Sequence, residues 1–293
     1  MESKNPVFRR AEGFNGRNAQ GNPTYPGNGQ GYAGYGDPST WSTGTATATA
    51  GGVQSGYGMP PTHAVDQGRM TIDTVVQKTG MTLGLTVLAA AATWLVTPNP
   101  ATQPIGSLYL LAMIGALGGF ALSMVNSFKR VVSPALVLAY AVLEGIFVGA
   151  FSKVIEAQFG GGLVIGAVVG TMAAVGGTLA AYKFFDIKVS DKFRRFVVAA
   201  MFGFVALSLL DFVLSFFKAD FGFNGFSTMG LVSSVVGLGL GILMLILDFD
   251  FVERGVEAGL PERESWRAAF GLTVTIVWIY IELLRILAIL RGD

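Results

Sequence analysis

Cysteine is absent from this 293-residue chain, which removes disulfide scaffolds, thiol nucleophiles and thiolate-held metal or iron–sulfur centres. Compartment stays open, because a chain without thiols suits either redox side. Histidine is nearly absent: His63 is the single one, and it lies in a polar N-terminal region far from any apolar stretch. A Ser–His intramembrane protease needs a histidine base beside its serine, and a histidine-liganded zinc hydrolase needs several. Neither can be built within a membrane here, and His63 reads as a solvated tail residue. Charge is scarce too, at 13% of residues against about 25% in a globular domain. The net charge of +1 leaves no basic footprint for nucleic acid.

What is present is apolar surface: 52% hydrophobic residues and a mean hydropathy of +0.55. The chain reads as an integral membrane protein with two regions. Residues 1–70 form a cytoplasmic tail in which Gly13–Gly58 is rich in Gly, Asn, Pro, Tyr, Ser and Thr, with Tyr25, Tyr32, Tyr35, Trp41 and Tyr57 among the glycines. Such a composition cannot build a core and is expected to be disordered. No apolar stretch follows the first charges, so no secretory signal is expected.

Residues 71–293 form the transmembrane domain. Seven apolar stretches approach the ~20 residues needed to cross a bilayer: Val75–Val96, Ile105–Met124, Pro134–Val154, Gly162–Ala181, Phe196–Phe217, Met229–Leu247 and Ala268–Leu290. Only helices or closed barrels span lipid, and these runs lack the alternation of barrel strands. The expected fold is therefore all-α with seven transmembrane helices. With the N-terminus inside, twelve Lys and Arg flank the inner ends and four the outer ends, counting Arg285, which lies within the last span. That bias places the N-terminus in the cytoplasm and the C-terminus outside. Gly162, Gly166 and Gly170, Gly115 with Gly119, and Gly145 with Gly149 recur every four residues, the spacing of close helix contact in lipid. Gly237, Gly239 and Gly241 alternate and suggest flexibility in the sixth helix instead.

Charges at membrane depth carry the functional signal, since each costs roughly 2.5–3.5 kcal/mol to place there. They are Glu144 in the third helix, Asp211 in the fifth, Asp248 closing the sixth, and Glu282 with Arg285 in the seventh. The excess of carboxylates favours a cation or proton path, and hard oxygen ligands suit calcium. Thr275, Trp278, Glu282 and Arg285 fall on one helical face. Glu282 and Arg285 can pair at i, i+3, as a structural pair or a gate element, and Arg285 can snorkel outward. Asp248 is a candidate proton-operated latch, with Asp250 and Glu253 beyond it in solvent. Asp211 and Glu144 read as path residues or as satisfied structural partners. No cofactor is expected beyond calcium as the transported ion, a metal site is left open, and the chain does not read as an enzyme.

The run Ala141-Val-Leu-Glu144-Gly145-Ile-Phe-Val-Gly149, the pair Leu247-Asp248, and Glu282-Leu-Leu-Arg285-Ile-Leu287 resemble the transmembrane Bax inhibitor motif family over roughly residues 70–290. The opening Asn5-Pro-Val-Phe-Arg9-Arg10 is similar to the branch found in actinobacteria. The resemblance implies six helices around a central C-terminal seventh, in a bacterial inner membrane. It also implies a pH-sensitive calcium leak or calcium/proton exchange governed by two aspartates on the last two helices. Asp248 matches the first aspartate. Thr275 stands at the second, and Glu282 falls where the family commonly has asparagine, so the latch is incomplete unless Glu282 replaces it from two turns away. A different class is a stress-linked regulator that binds partner proteins such as a membrane protease, through the tail or the loop Glu253–Arg267. An aspartyl intramembrane protease is disfavoured, because Gly237-Leu-Gly239 is followed by Leu240 and not aspartate.

Overall fold

A computed structural model describes residues 68–98, 100 and 106–292. The tail expected over residues 1–70 therefore lies outside the described residues, except for Gly68–Met70. Seven helices follow in order: α1 (Ile72–Val96), α2 (Gly106–Phe128), α3 (Pro134–Phe159), α4 (Leu163–Phe184), α5 (Asp191–Ser215), α6 (Thr228–Glu257) and α7 (Glu264–Gly292). Each is long and apolar enough to cross a membrane. All seven expected spans are present. The sixth was expected to end at Leu247 but runs on to Glu257, because Asp250 and Arg254 one turn apart satisfy each other in the helix at 2.9 Å.

Local chemistry sets the helix boundaries. Thr71 caps α1 in a reciprocal box with Thr74, and Ser190 caps α5 by accepting from Phe193 N at 3.2 Å; such side-chain acceptors answer the free amides of a first turn. Pro134 opens α3, where its missing N–H is not needed. At the far end of α3, Glu156 accepts from Gly162 N at 2.7 Å and Val164 N at 3.0 Å, so a carboxylate caps α4. Gly160 and Gly162 make the turn between them at φ of 99° and 93°, a region that costs a side chain.

Packing centres on α7. In its most apolar window 61% of residues are buried, against 17% for α1, α2 and α5. It touches α1, α3, α4 and α6, while α2 leans on α3 and α5 on α6, with Phe204 of α5 reaching Trp278 of α7 at 5.5 Å between ring centres. Six helices thus surround a central C-terminal one. The expected glycine stripes are the contact faces. A Cβ on Gly145 or Gly149 would collide with the backbone of Thr86 or Ala90 on α1, one on Gly115 with Phe147 N on α3 at 2.6 Å, and one on Gly166 or Gly170 would press on Leu287 or Leu283 of α7. The sixth-helix glycines differ from expectation. Gly237 and Gly241, four residues apart, form one face against α7, where Cβ atoms would stand 2.7 Å from Glu282 Oε1 and 2.9 Å from Ile279 Cγ1; Gly239 faces open space. They serve close approach, not flexibility.

Two ends of the bundle can be told apart. The N-face carries the start of α1 and the turns α2–α3, α4–α5 and α6–α7. There, Gly68–Met70 lies as a short strap on the α6–α7 turn: Met70 N donates to Leu260 O at 2.7 Å and Glu262 N to Gly68 O at 2.6 Å. The Met70 side chain is buried, and Lys78 pairs with Glu262 at 2.9 Å. The opposite C-face carries the turns α3–α4 and α5–α6 and the end of α7. Lys153 is buried there and donates to Trp94 O and Thr97 O, both at 2.7 Å, closing the free carbonyls of α1.

Replacing Gly149 by Leu should lower the thermal unfolding midpoint in detergent by the equivalent of about 1–3 kcal/mol. Gly239→Ala, with no neighbouring atom within 4 Å, should leave it unchanged. Equal losses in the two variants would remove close approach as the cause.

Candidate functional site

Of the five charges expected at membrane depth, Asp248, Glu282 and Arg285 lie at the seam between α6 and α7, on two levels. On the N-face side, Thr275 Oγ1 donates to Asp248 Oδ2 at 2.6 Å. Gly271 sits one turn before Thr275 and leaves room for the carboxylate, since a Cβ there would stand 3.3 Å from Asp248 Oδ1. Asp248 is not at the helix end but inside α6, because the helix continues to Glu257. It is half-buried and lines a cleft of about 520 Å³ between the α2–α3 turn and the two helices. Asp250 departs from its expected place in solvent. It is 4% exposed and held by Arg194 Nη2 at 2.7 Å and Arg254 Nε at 2.9 Å, because its face of α6 turns towards α5 and away from the water. Arg254 continues to Val189 O at 2.8 Å, binding α6 to the α4–α5 turn. Glu253 is exposed as expected and accepts from Tyr182 OH at 2.5 Å.

The C-face level is built differently. Glu282 and Arg285 are both buried and pair at 3.1 Å. The Arg285 side chain does not snorkel outward. It donates from Nη2 to Phe223 O at 3.0 Å, because the α5–α6 turn brings carbonyls within its reach inside the bundle. Trp278 Nε1 donates to Gly237 O at 2.9 Å, so Thr275, Trp278, Glu282 and Arg285 do share the face that meets α6. Asp211 is 3% exposed, and both its oxygens are taken, by Phe221 N at 2.9 Å and Asn224 N at 2.8 Å. Asn224 also bonds Ser208 through both ends of its amide, at 2.6 and 2.7 Å. Asp211 is thus the anchor of the α5–α6 turn.

The four acids are not brought together. Glu144 stands at the contact of α2 with α3, where a Cβ on Gly119 would meet its Oε2 at 3.0 Å. Glu282 lies seven residues beyond Thr275, about 10 Å along the helix, and faces Gly237 and not Asp248. So Glu282 does not replace the second aspartate beside Asp248; a hydroxyl occupies that place. Among the described residues no group of three or more His, Cys, Asp or Glu is placed to hold a metal ion.

Sequence reasoning missed several members of this arrangement. Arg254 could have been found, since an acid four residues before an arginine is a pairing signal. Gly237 and Gly241 could have been found as a four-residue pair once Gly239 was set aside. Arg194 and Asn224 carry no local signal: their partners lie 56 and up to 16 residues away.

A buried C-terminal helix with six apolar helices around it defines an integral membrane protein with a polar seam between its last two helices. The family model described as Bax inhibitor 1 like matches residues 5–292, and the chain belongs to that family. An uncharacterized protein of Chlamydia muridarum (strain MoPn / Nigg) is 29% identical over 216 residues, covering 71% of this chain and 87% of that protein. The resemblance read from the motifs is thereby borne out.

Asp211→Asn would turn an amide donor toward a backbone N–H and should destabilise the protein by about 1–3 kcal/mol. The α5–α6 turn should then be cut faster by protease. A variant as resistant as wild type would show that the carboxylate does not hold the turn.

Proposed function

We propose that this protein passes calcium across a bacterial inner membrane, as a leak or in exchange for protons, with Asp248 as the acid that admits or refuses the cation. The observation that carries this reading is the position of Asp248. Its carboxylate opens onto the N-face cleft while bonded across the seam to Thr275. A cation arriving from the cleft meets an oxygen ligand of the kind calcium prefers, and binding it competes with the contact that holds α6 to α7. Beyond Asp248 the seam is shut, with Trp278 and Ile279 packed against Gly241. Passage therefore requires α6 and α7 to part, towards the Glu282–Arg285 pair. We place the N-face in the cytoplasm from the excess of lysine and arginine at that end.

Thr275 in place of an acid makes the latch one carboxylate bonded to a hydroxyl. Two acids sharing a site titrate as a coupled pair; one acid does not. The alternative, a regulator that binds partner proteins and transports nothing, draws support from the strap at Gly68–Met70. That strap is hydrogen-bonded to the α6–α7 turn, so a partner pulling on it would act on the seam.

Calcium uptake into proteoliposomes at two pH values is the test. Wild type should show flux, Asp248→Asn should change its pH dependence, and Thr275→Asp should steepen that dependence. Glu282→Gln should lower flux without moving the pH midpoint. Absence of calcium flux in wild type at either pH would overturn the transport reading and favour the regulator.

A further inference from the structure

Three cationic side chains ring the mouth of the cleft that holds Asp248. Lys129 and Arg130 are exposed on the α2–α3 turn. Arg267 reaches across from the first turn of α7, donating to Arg130 O at 2.9 Å. Arg267 has an acidic neighbour, Glu264 at 3.3 Å. Lys129 and Arg130 form no ion pair among the described residues. Below them the wall is aromatic, made by Phe128, Phe251 and Phe270, and Phe128 is 82% exposed. This is the level at which the apolar span of α2 ends. Among the described residues α2 packs on α3 and makes no helix contact with α6 or α7, so helix packing does not close the cleft between the α2–α3 turn and those two helices.

Cations at the interface above an apolar wall match one chemistry: a phosphate carrying acyl chains, with no cation of its own. A zwitterionic headgroup would bring an ammonium into a ring that is already positive, whereas an anionic one answers it. We propose that the cleft binds the headgroup of an anionic phospholipid, its phosphate on Lys129, Arg130 and Arg267 and its first acyl carbons against Phe128 and Phe251. The bound lipid also neutralises the ring that a cation must cross to reach Asp248, so it licenses entry as well as occupying the cleft. That second effect rests on the transport reading above; the binding rests on the cleft alone.

Native mass spectrometry of the full chain, released from vesicles of mixed phosphatidylglycerol and phosphatidylcholine, tests the site. Wild type should retain phosphatidylglycerol over phosphatidylcholine. The double variant Lys129→Gln/Arg130→Gln should hold it about fivefold less for each charge removed. Lys192→Gln/Arg195→Gln, which removes two exposed charges of the same face outside the cleft, should retain it as wild type does. Equal retention of the two lipids by wild type, or equal loss in both double variants, would overturn the proposal, the latter by showing general surface charge instead of a site. Calcium uptake in vesicles with and without phosphatidylglycerol reads the second effect: flux should rise with the anionic lipid in wild type and not in Lys129→Gln/Arg130→Gln. Absence of flux in both lipids would sink the transport reading, and the retention assay would still decide the binding site.

Discussion

Lipid gives helices no hydrophobic reason to associate, so this bundle coheres through how closely backbones approach one another. That closeness is concentrated at glycine. Gly145 and Gly149 bring α3 onto α1, Gly166 and Gly170 bring α4 onto α7, and Gly237 and Gly241 bring α6 onto α7. Where a side chain replaces hydrogen at such a point, the helices must separate and every contact above and below loosens with them. The polar seam depends on the same spacing. Gly237 leaves the room that Glu282 fills, and Gly271 leaves the room for Asp248.

The two ends of that seam are held by opposite means. On the C-face, charges are used up in structure: Asp211 takes two backbone amides, and Arg285 divides its donors between Glu282 and the α5–α6 turn. Buried groups satisfied in this way are rigid and hard to recruit for chemistry. On the N-face, Asp250 has two arginines, but Asp248 has one hydroxyl partner and an open side. An acid with one partner and access to a cleft can exchange that partner, which a fully occupied acid cannot do without loss.

Much of this was legible from residue type and spacing alone. The seven spans, the shared face of α7 and the three glycine stripes all follow from local periodicity, and the structure places them as expected. What was not legible shares one property: it depends on residues far apart in the chain. Arg194 finds Asp250, Arg285 finds the carbonyl of Phe223, and Asn224 finds Ser208, none of which a spacing rule within one helix can join. The acids were grouped by their shared rarity in apolar segments, but rarity reports only that each has a reason: Asp211 has the α5–α6 turn, Asp248 has Thr275 and Glu282 has Arg285, while Glu144 stands apart between α2 and α3. Asp250 was misjudged because its distance from the apolar core of α6 was taken for distance from the protein.

The strap of Gly68–Met70 on the α6–α7 turn and the burial of α7 together impose an order on assembly. Ribosomes deliver helices from the N-terminus onward at about 5–20 residues per second. Six helices are therefore in the membrane before the one they surround has emerged, and the seat for Met70 does not exist until the last turn has been made. A six-helix intermediate has its centre unfilled for the seconds that α7 takes to synthesise. Biogenesis of this protein is thus a closing event, in which insertion of α7 completes the core and the seam in one step.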